Sequence, residues 1–390
     1  MSSRRVIVLL ITALVVIASA IWISSQRHLP RDITAGTPLL PDIKPVLDQV
    51  SEIRLAKADG THTTLKRNGT DWMVHERHFV ADGAKVRKLL VDVASLQIKE
   101  EKTSNTQLYS ALNVEDVPAP NPDAPISVKP PKANQYDFTE PMTATRIDLI
   151  TPGKTWSVID GKSGGYKEGY VRIVGAKQSF LASPRLEADV EPQRWLDKAI
   201  ADIPEARIQS VAVQPAKGPA YSVSRDKKET QNFAVSNIPP KRKLANDSSG
   251  NALANGLEGL SLDDVQKNPD VPPAPLANTT VELTQATYKT FDGVTVEVRG
   301  RKESTPGLKK EDPKIEKAYI TLTASSTQKA TQEEAQKLNA RAAGLQFEIS
   351  TWKFDGMFKP LEDLLETLPT KDKGKDKNKD NDKGKKPKDK

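Results

Sequence analysis

The sequence has 390 residues, a formal charge of +7 and no cysteine; 37% of its residues are apolar, 5% are aromatic and 28 are proline. That length is a prior for two or three ordinary domains. The lack of cysteine excludes thiol nucleophiles, disulfide frameworks, zinc–thiolate centres and iron–sulfur clusters.

At the start of the chain, Arg4 and Arg5 precede an apolar run, Val6–Ile23, whose only polar members are Thr12 and Ser19. Eighteen helical residues span roughly 27 Å, enough for a bilayer core. The arginines place the N-terminus in the cytoplasm, and Trp22 falls where an indole suits the far interface. The expectation is a membrane anchor over residues 1–25, with the lipid bilayer as partner through Val6–Ile23. It makes a single-pass protein of a bacterial inner membrane, its body periplasmic or otherwise extracytoplasmic. A cleaved signal peptide is the alternative, with Ala18-Ser19-Ala20 as its cleavage site. Residues 26–47 form a proline-containing spacer.

The pattern predicts a first α+β lobe over residues 48–201. Val50, Ile53 and Leu55 open a strand; Leu65 and Arg67 follow a turn at Asp59-Gly60; Trp72 and Val74 follow Asn68-Gly69. These are short strands separated by good turn residues. Lys85–Leu96 reads as a helix with Val86, Leu89, Leu90 and Val93 on one face, and Leu96 and Ile98 return to a strand. Residues 117–141 hold seven prolines and read as a loop-like insertion.

A second α+β lobe, residues 202–369, repeats the first. Ile208, Val211, Val213, Val223 and Arg225 reproduce the first strands at an offset of 158 residues. Phe233 and Val235 stand for Trp72 and Val74, so both aromatics read as core. Leu253, Leu257, Leu260 and Leu262 match Leu89, Val93, Leu96 and Ile98 at an offset of 164. Further echoes are Ile147/Leu149 with Val281/Leu283, Lys154-Thr155-Trp156 with Lys289-Thr290-Phe291, and Tyr170/Val171/Ile173 with Tyr319/Ile320/Leu322. Each unit is expected to end in a short helix, Pro192–Ile200 and Pro360–Leu368. Pro269–Asn278 and Arg301–Lys314 read as loops. The fold class that follows is a transmembrane helix followed by two tandem-duplicated lobes, each of mostly antiparallel strands with one or two helices.

Thr370–Lys390 carries ten lysines and five aspartates, so most of the basic charge lies there. With no apolar residue to bury, it is expected to be disordered. It has no aromatic residue for base stacking, and nucleic acid is not expected as a partner.

Several landmarks resemble a known family. They are the apolar start, Leu39-Leu40-Pro41, Val50–Leu55 with Trp72, Ala81-Asp82, Lys102-Thr103-Ser104-Asn105, and Leu112-Asn113-Val114-Glu115-Asp116. The second half adds Ile203-Pro204 and Arg207-Ile208-Gln209-Ser210-Val211. Together they resemble a bacterial envelope family known only as a domain of unknown function. Its members often lie beside an uncharacterised ABC-type transport system of the gliding-motility auxiliary type. The resemblance spans roughly residues 39–365 and is strongest over 39–116. It transfers no catalytic residue, and it implies an accessory role near a transporter. The proline-rich insertion and the Lys/Asp tail depart from it.

Chemical motifs fail on context. Gly161-Lys162-Ser163-Gly164-Gly165 has the form of a nucleophile elbow, but strands flank it and every histidine (28, 62, 75, 78) precedes it. Gly153-Lys154-Thr155 lacks the earlier glycine of a phosphate loop, with Asp148 in its place. His75-Glu76-Arg77-His78 is one residue short of a zinc-protease motif and closes a strand. No catalytic, cofactor-binding or metal-ligating residue is assigned, and no cofactor is expected. The leading expectation is a non-enzymatic, membrane-anchored accessory protein that tethers a component or cargo of an ABC-type transport system. The alternative is an envelope hydrolase of glycan or lipid, with convergent carboxylates at the junction of the lobes. A third reading is a structural contact with the cell wall through the tail.

Overall fold

The computed structural model describes residues 36–124, 144–269, 278–307 and 313–367. Alternation of apolar and polar residues builds its first sheet. In β1 (Glu52–Lys57), Ile53 and Leu55 are fully buried; they lie opposite Leu65 and Thr63 of β2 (His62–Asn68). Gly69, with φ +62°, makes the turn into β3 (Asp71–Val74), and a short β4 (Phe79–Val80) pairs back on it. Only glycine adopts that φ without cost, so the Asn68-Gly69 turn was readable.

Helix α1 (Gly83–Ala94) begins where Asp82 accepts hydrogen bonds from the amides of Ala84 and Lys85, at 3.0 and 3.2 Å. That capping satisfies amides that the helix leaves without partners. Its buried stripe is Val86, Leu89, Leu90 and Val93. Burial of each such side chain contributes about 1.5–3 kcal/mol.

The first sheet is completed by β5 (Gln97–Glu101), β6 (Thr145–Thr151), β7 (Lys154–Ser163), β8 (Gly169–Ile173) and β9 (Ser179–Ser183). Its nine strands run in the order β4-β3-β2-β1-β6-β7-β8-β9-β5. A small ribbon pairs β10 (Ala199–Ala201), which precedes the second large sheet in the chain, with β14 (Leu260–Ser261), which falls among that sheet's strands.

The second lobe contains β11 (Ile208–Gln214), β12 (Tyr221–Ser224), β13 (Ala234–Val235), β15 (Asp264–Lys267), β16 (Thr280–Thr290), β17 (Val294–Thr305), β18 (Ile315–Ser326) and β19 (Leu345–Ile349). Its eight strands run β13-β12-β11-β16-β17-β18-β19-β15. Apart from β4, this reproduces the first sheet strand for strand. Its two longer helices are α2 (Gln332–Ala342), beside β18, and α3 (Thr351–Met357), which buries Phe354 and Met357; a four-residue helical segment, Asn251–Ala254, buries Leu253 and Ala254. One apolar core runs through both lobes.

The fold class is therefore corrected to two mostly antiparallel β-sheet lobes with few helices. Among the described residues no helix is long and apolar enough to cross a membrane. Val6–Ile23, on which the anchor rested, lies outside the described residues. So do Thr370–Lys390 and most of the proline-rich insertion.

The matching of the two halves also changes in detail. Leu55 lies opposite Ile147, and its counterpart Val213 lies opposite Ala286; Ile53 lies opposite Leu149, and Val211 opposite Tyr288. The counterparts of Ile147 and Leu149 are thus Ala286 and Tyr288, not Val281 and Leu283, which are exposed. Trp156 is paired with Leu149 and Val296 with Tyr288, so Trp156 corresponds to Val296 and not to Phe291. The pairing of Tyr170, Val171 and Ile173 with Tyr319, Ile320 and Leu322 agrees with the register. The expected closing helices are single 3₁₀ turns, Pro192–Trp195 and Leu361–Leu364. The loop expected at Arg301–Lys314 instead begins as strand, because β17 continues to Thr305.

Candidate functional site

The lobes meet where the β3–β4 hairpin of the first touches β15, β19 and α2 of the second. Phe79 lies edge-on to Phe347, ring centroids 5.9 Å apart. Arg77 grips Asp264 with two bonds, Nε to Oδ1 at 2.7 Å and Nη2 to Oδ2 at 2.9 Å. This fork geometry is the strong form of an Arg–carboxylate pair. Arg341 stacks its guanidinium on the Phe79 ring at 4.8 Å, and its Nη2 donates to the backbone oxygen of Asp197 at 3.0 Å.

Beside these contacts is a cleft of about 620 Å³. The first lobe lines it with Met73, Arg77, His78, Phe79 and Val80; the second lines it with Lys267, Ala340, Arg341, Ala343, Gly344 and Leu345. The volume falls within the range of small-molecule sites. Three side chains in the lining carry a fixed positive charge, and none carries a carboxylate. Arg77 is paired with Asp264 and Arg341 with Asp197. Lys267 is exposed and has no ion pair or hydrogen bond among the described residues. Arg341 Nε is buried and has no acceptor. An unpaired buried donor costs about 1–3 kcal/mol, more on a charged group, so this one calls for an explanation.

On the other side of α2 lies a second cleft, of about 570 Å³, with Asp197, Asp202, Glu333 and Glu334 in its lining. These acids are occupied. Glu334 takes both Arg207 nitrogens at 2.8 Å, and Asp197 lies 3.2 Å from Arg341. The hydrogen bond from Lys337 holds the Glu333 carboxyl below its ordinary range.

Two carboxyls are raised elsewhere. Burial pushes Asp160 up to about 8, with Arg185 pulling the other way. Burial also raises Glu76, against hydrogen bonds from its own backbone and Thr64; His62 Nε2 is 3.9 Å from it. Neither residue lines either cleft. Among the described residues no group of His, Asp and Glu side chains is arranged to hold a metal ion.

The residues singled out in the sequence fall as follows. Ser163 donates to the Gly165 carbonyl at 2.9 Å in the turn after β7. Gly153 lies in the β6–β7 turn while Lys154 and Thr155 open β7, and Lys154 lies 4.7 Å over the Trp156 ring. His75–Arg77 is a 3₁₀ turn, and His78 has a left-handed φ of 50°. That segment carries Arg77 and His78 into the junction. Trp72 and Phe233 are both buried. Lys267, Arg341 and Phe79 carried no sequence signal, because the lining comes from segments far apart in the chain.

The frame and its junction define a two-lobed β-sheet module with a cationic, partly apolar cleft. Residues 72–279, more than half of the chain, match the family described as Domain of unknown function (DUF4340). The chain belongs to that family. The matched stretch begins in the first lobe and ends in the second. No curated protein and no solved structure matches the chain.

These findings correct the functional expectations. The family match ties the chain to no transport system. With no membrane-crossing helix among the described residues, neither an anchored tether nor a single-pass inner-membrane topology is supported. The bilayer and a transport-system protein are withdrawn as partners. The hydrolase reading required convergent carboxylates at the junction. The junction instead presents Arg77, Lys267 and Arg341, and behind α2 Glu333, Glu334 and Asp197 are held in ion pairs while Asp202 accepts from the Gly259 amide.

Proposed function

We propose that the chain is a non-catalytic binding module whose ligand site is the cleft between the lobes, and that the ligand carries negative charge. One observation carries the reading: the cleft is lined by Arg77, Lys267 and Arg341 with no carboxylate among them, and the exposed Lys267 has no ion pair among the described residues. A bound anion would pair with Lys267, the one lining cation that has no partner among the described residues. The duplicated frame supports the reading too. It holds the two walls rigidly through the Arg77–Asp264 fork and the Phe79–Phe347 contact, as a preformed site requires.

The test is a titration with the anionic dye 8-anilinonaphthalene-1-sulfonate. One saturable site, weakened at least tenfold by Lys267→Glu, with the dye recovered unchanged, is the expected result. Binding that ignores Lys267→Glu would overturn the assignment of the site.

A further inference from the structure

Next to Arg77 in the chain lies a buried pair that the cleft does not use. His62 is in β2 and Glu76 is in the 3₁₀ turn His75–Arg77; their side chains are 4% and 3% exposed, and His62 Nε2 faces Glu76 Oε1 at 3.9 Å. The other ring nitrogen, Nδ1, lies 3.0 Å from the Gly60 carbonyl oxygen. A carbonyl only accepts, so Nδ1 carries a proton, and in a neutral ring Nε2 then presents a lone pair. A deprotonated carboxyl opposite it presents another. Two acceptors facing each other away from water are costly, and one proton between them turns the cost into a hydrogen bond. We infer that His62 and Glu76 hold one proton between them, carried by Glu76, and that this proton latches the junction of the two lobes.

The turn is what couples the pair to the junction, because its three side chains go to three places. His75 Nε2 lies 3.5 Å from Asp123, Glu76 is buried against His62, and Arg77 forks onto Asp264 of the second lobe. Glu76 cannot leave its place without moving Arg77, one residue on. The charged groups on the surrounding elements are already matched. Arg54 is paired with Glu52 on β1, Arg146 with Asp148 on β6, and Arg194 with Asp189 and Glu191 around the turn at Pro192–Trp195. Lys66 lies opposite Glu52 in the register, and Asp59 accepts from the Thr61 amide. His75 and His78 meet edge-on, ring centroids 5.9 Å apart.

Loss of the proton therefore leaves a carboxylate buried with no free cation to meet it. Burial raises the Glu76 carboxyl above its ordinary value of 4.5. Stability from the neutral form is complete below 4.5 and is lost as pH rises through the raised value. Relief comes from moving the carboxylate out to water, and the turn that carries it takes Arg77 off Asp264.

The full chain tests this, since it has no cysteine of its own. Val91→Cys on α1 and Ser325→Cys on β18, both at exposed positions, carry spin labels whose separation reads the angle between the lobes. The window runs from about pH 6 to about pH 9, above the ordinary carboxylate value and below that of lysine. Across it the parent is expected to pass from one narrow distance to a broader or second one. Glu76→Gln, which stays neutral and still donates to Nε2, is expected to keep the narrow distance throughout. A parent distance that does not change, or a change that is equal in Glu76→Gln, would overturn the latch. A second reading uses the parent alone and depends on no variant's folding. In nitrogen-15 spectra at the acid end of the window, His62 is expected to carry its proton on Nδ1 and none on Nε2. Protons on both nitrogens, or on Nε2 alone, would sink the shared proton and the latch with it.

Discussion

The two sheets share one strand order, yet their outer faces are used in opposite ways. In the first lobe, residues 105–124 fold back across β1, β6, β7 and β8. Tyr109, Val114 and Val117 cover Ala56, Ala144 and Ile159 in a small second core. Arg172, 2% exposed, fastens this strap: Nε donates to the Val114 carbonyl at 2.8 Å, Nη1 to the Ala176 carbonyl at 2.9 Å, and Nη2 to Asp116. In the second lobe the register places Arg299 where Ile159 stands and Thr321 where Arg172 stands. That face is polar and largely exposed. The inner face, Val211, Val213, Val296, Val298 and Ile320 against Ile53, Leu55, Trp156, Val158 and Val171, is apolar in both. The inner pattern is enough to specify the sheet, and the outer pattern only decides whether something lies on it.

Paired substitutions at matching positions put numbers on that difference. The largest effect is expected at Arg172→Ala, about 3–5 kcal/mol by chemical denaturation, since it leaves the buried Val114 carbonyl without its donor and a cavity where a fully packed side chain stood. Thr321→Ala, its counterpart, is expected to stay within about 0.5 kcal/mol. Equal losses at both positions would mean that the second face is covered in solution.

Next comes Ile159→Ala, expected to cost about 2–4 kcal/mol through the cavity it leaves, while Arg299→Ala is expected to be close to neutral, within about 0.5 kcal/mol. A third pair reverses the lobes. Arg225 is buried, lies 4.5 Å over the Phe233 ring and donates to the carbonyls of Ile208, Thr230 and Glu205. Its counterpart Arg67 is exposed and lies 5.1 Å over the Trp72 ring. Arg225→Ala is expected to cost about 2–3 kcal/mol and Arg67→Ala less than about 1.

The last comparison is a slope with pH, read unit by unit. Asp160, whose counterpart is Gly300, is pushed up to about 8 by burial. Above the ordinary value of 3.8, the unfolded carboxyl gives up a proton that the folded one keeps. Stability from the neutral form is complete below that value and is lost as pH rises through about 8. The loss is at most about 1.4 kcal/mol per pH unit. Denaturation curves of Asp160→Asn across that window are expected to be flatter than those of the parent; an unchanged slope would place the titration elsewhere.

The sequence made the inner faces legible because apolar alternation and turn glycines coincide there. Helix α1 was equally plain, with its cap at Asp82 and its four-residue stripe. Helix α2 was not, because only Ala335 and Ala342 are buried and no apolar stripe marks it. Asn339 holds it instead, its side-chain amide donating to and accepting from the backbone of Ala324 at 2.7 Å. The misreading of Val281 and Leu283 has a related cause. They sit near the end of an overlong strand whose true inner positions are Ala286 and Tyr288, less apolar than the exposed pair. Of the candidate site, only Arg77 and His78 had been noticed, inside a motif rejected for zinc. The rest depends on contacts between segments nearly 200 residues or more apart, such as Arg77 with Asp264.

The edge-on meeting of Phe79 and Phe347 has one more consequence. Since both rings belong to a single interior, neither half seals itself. Heating is expected to take the molecule apart in one calorimetric endotherm, and a gene cut between the halves is expected to yield two products that stay dissolved only when made together.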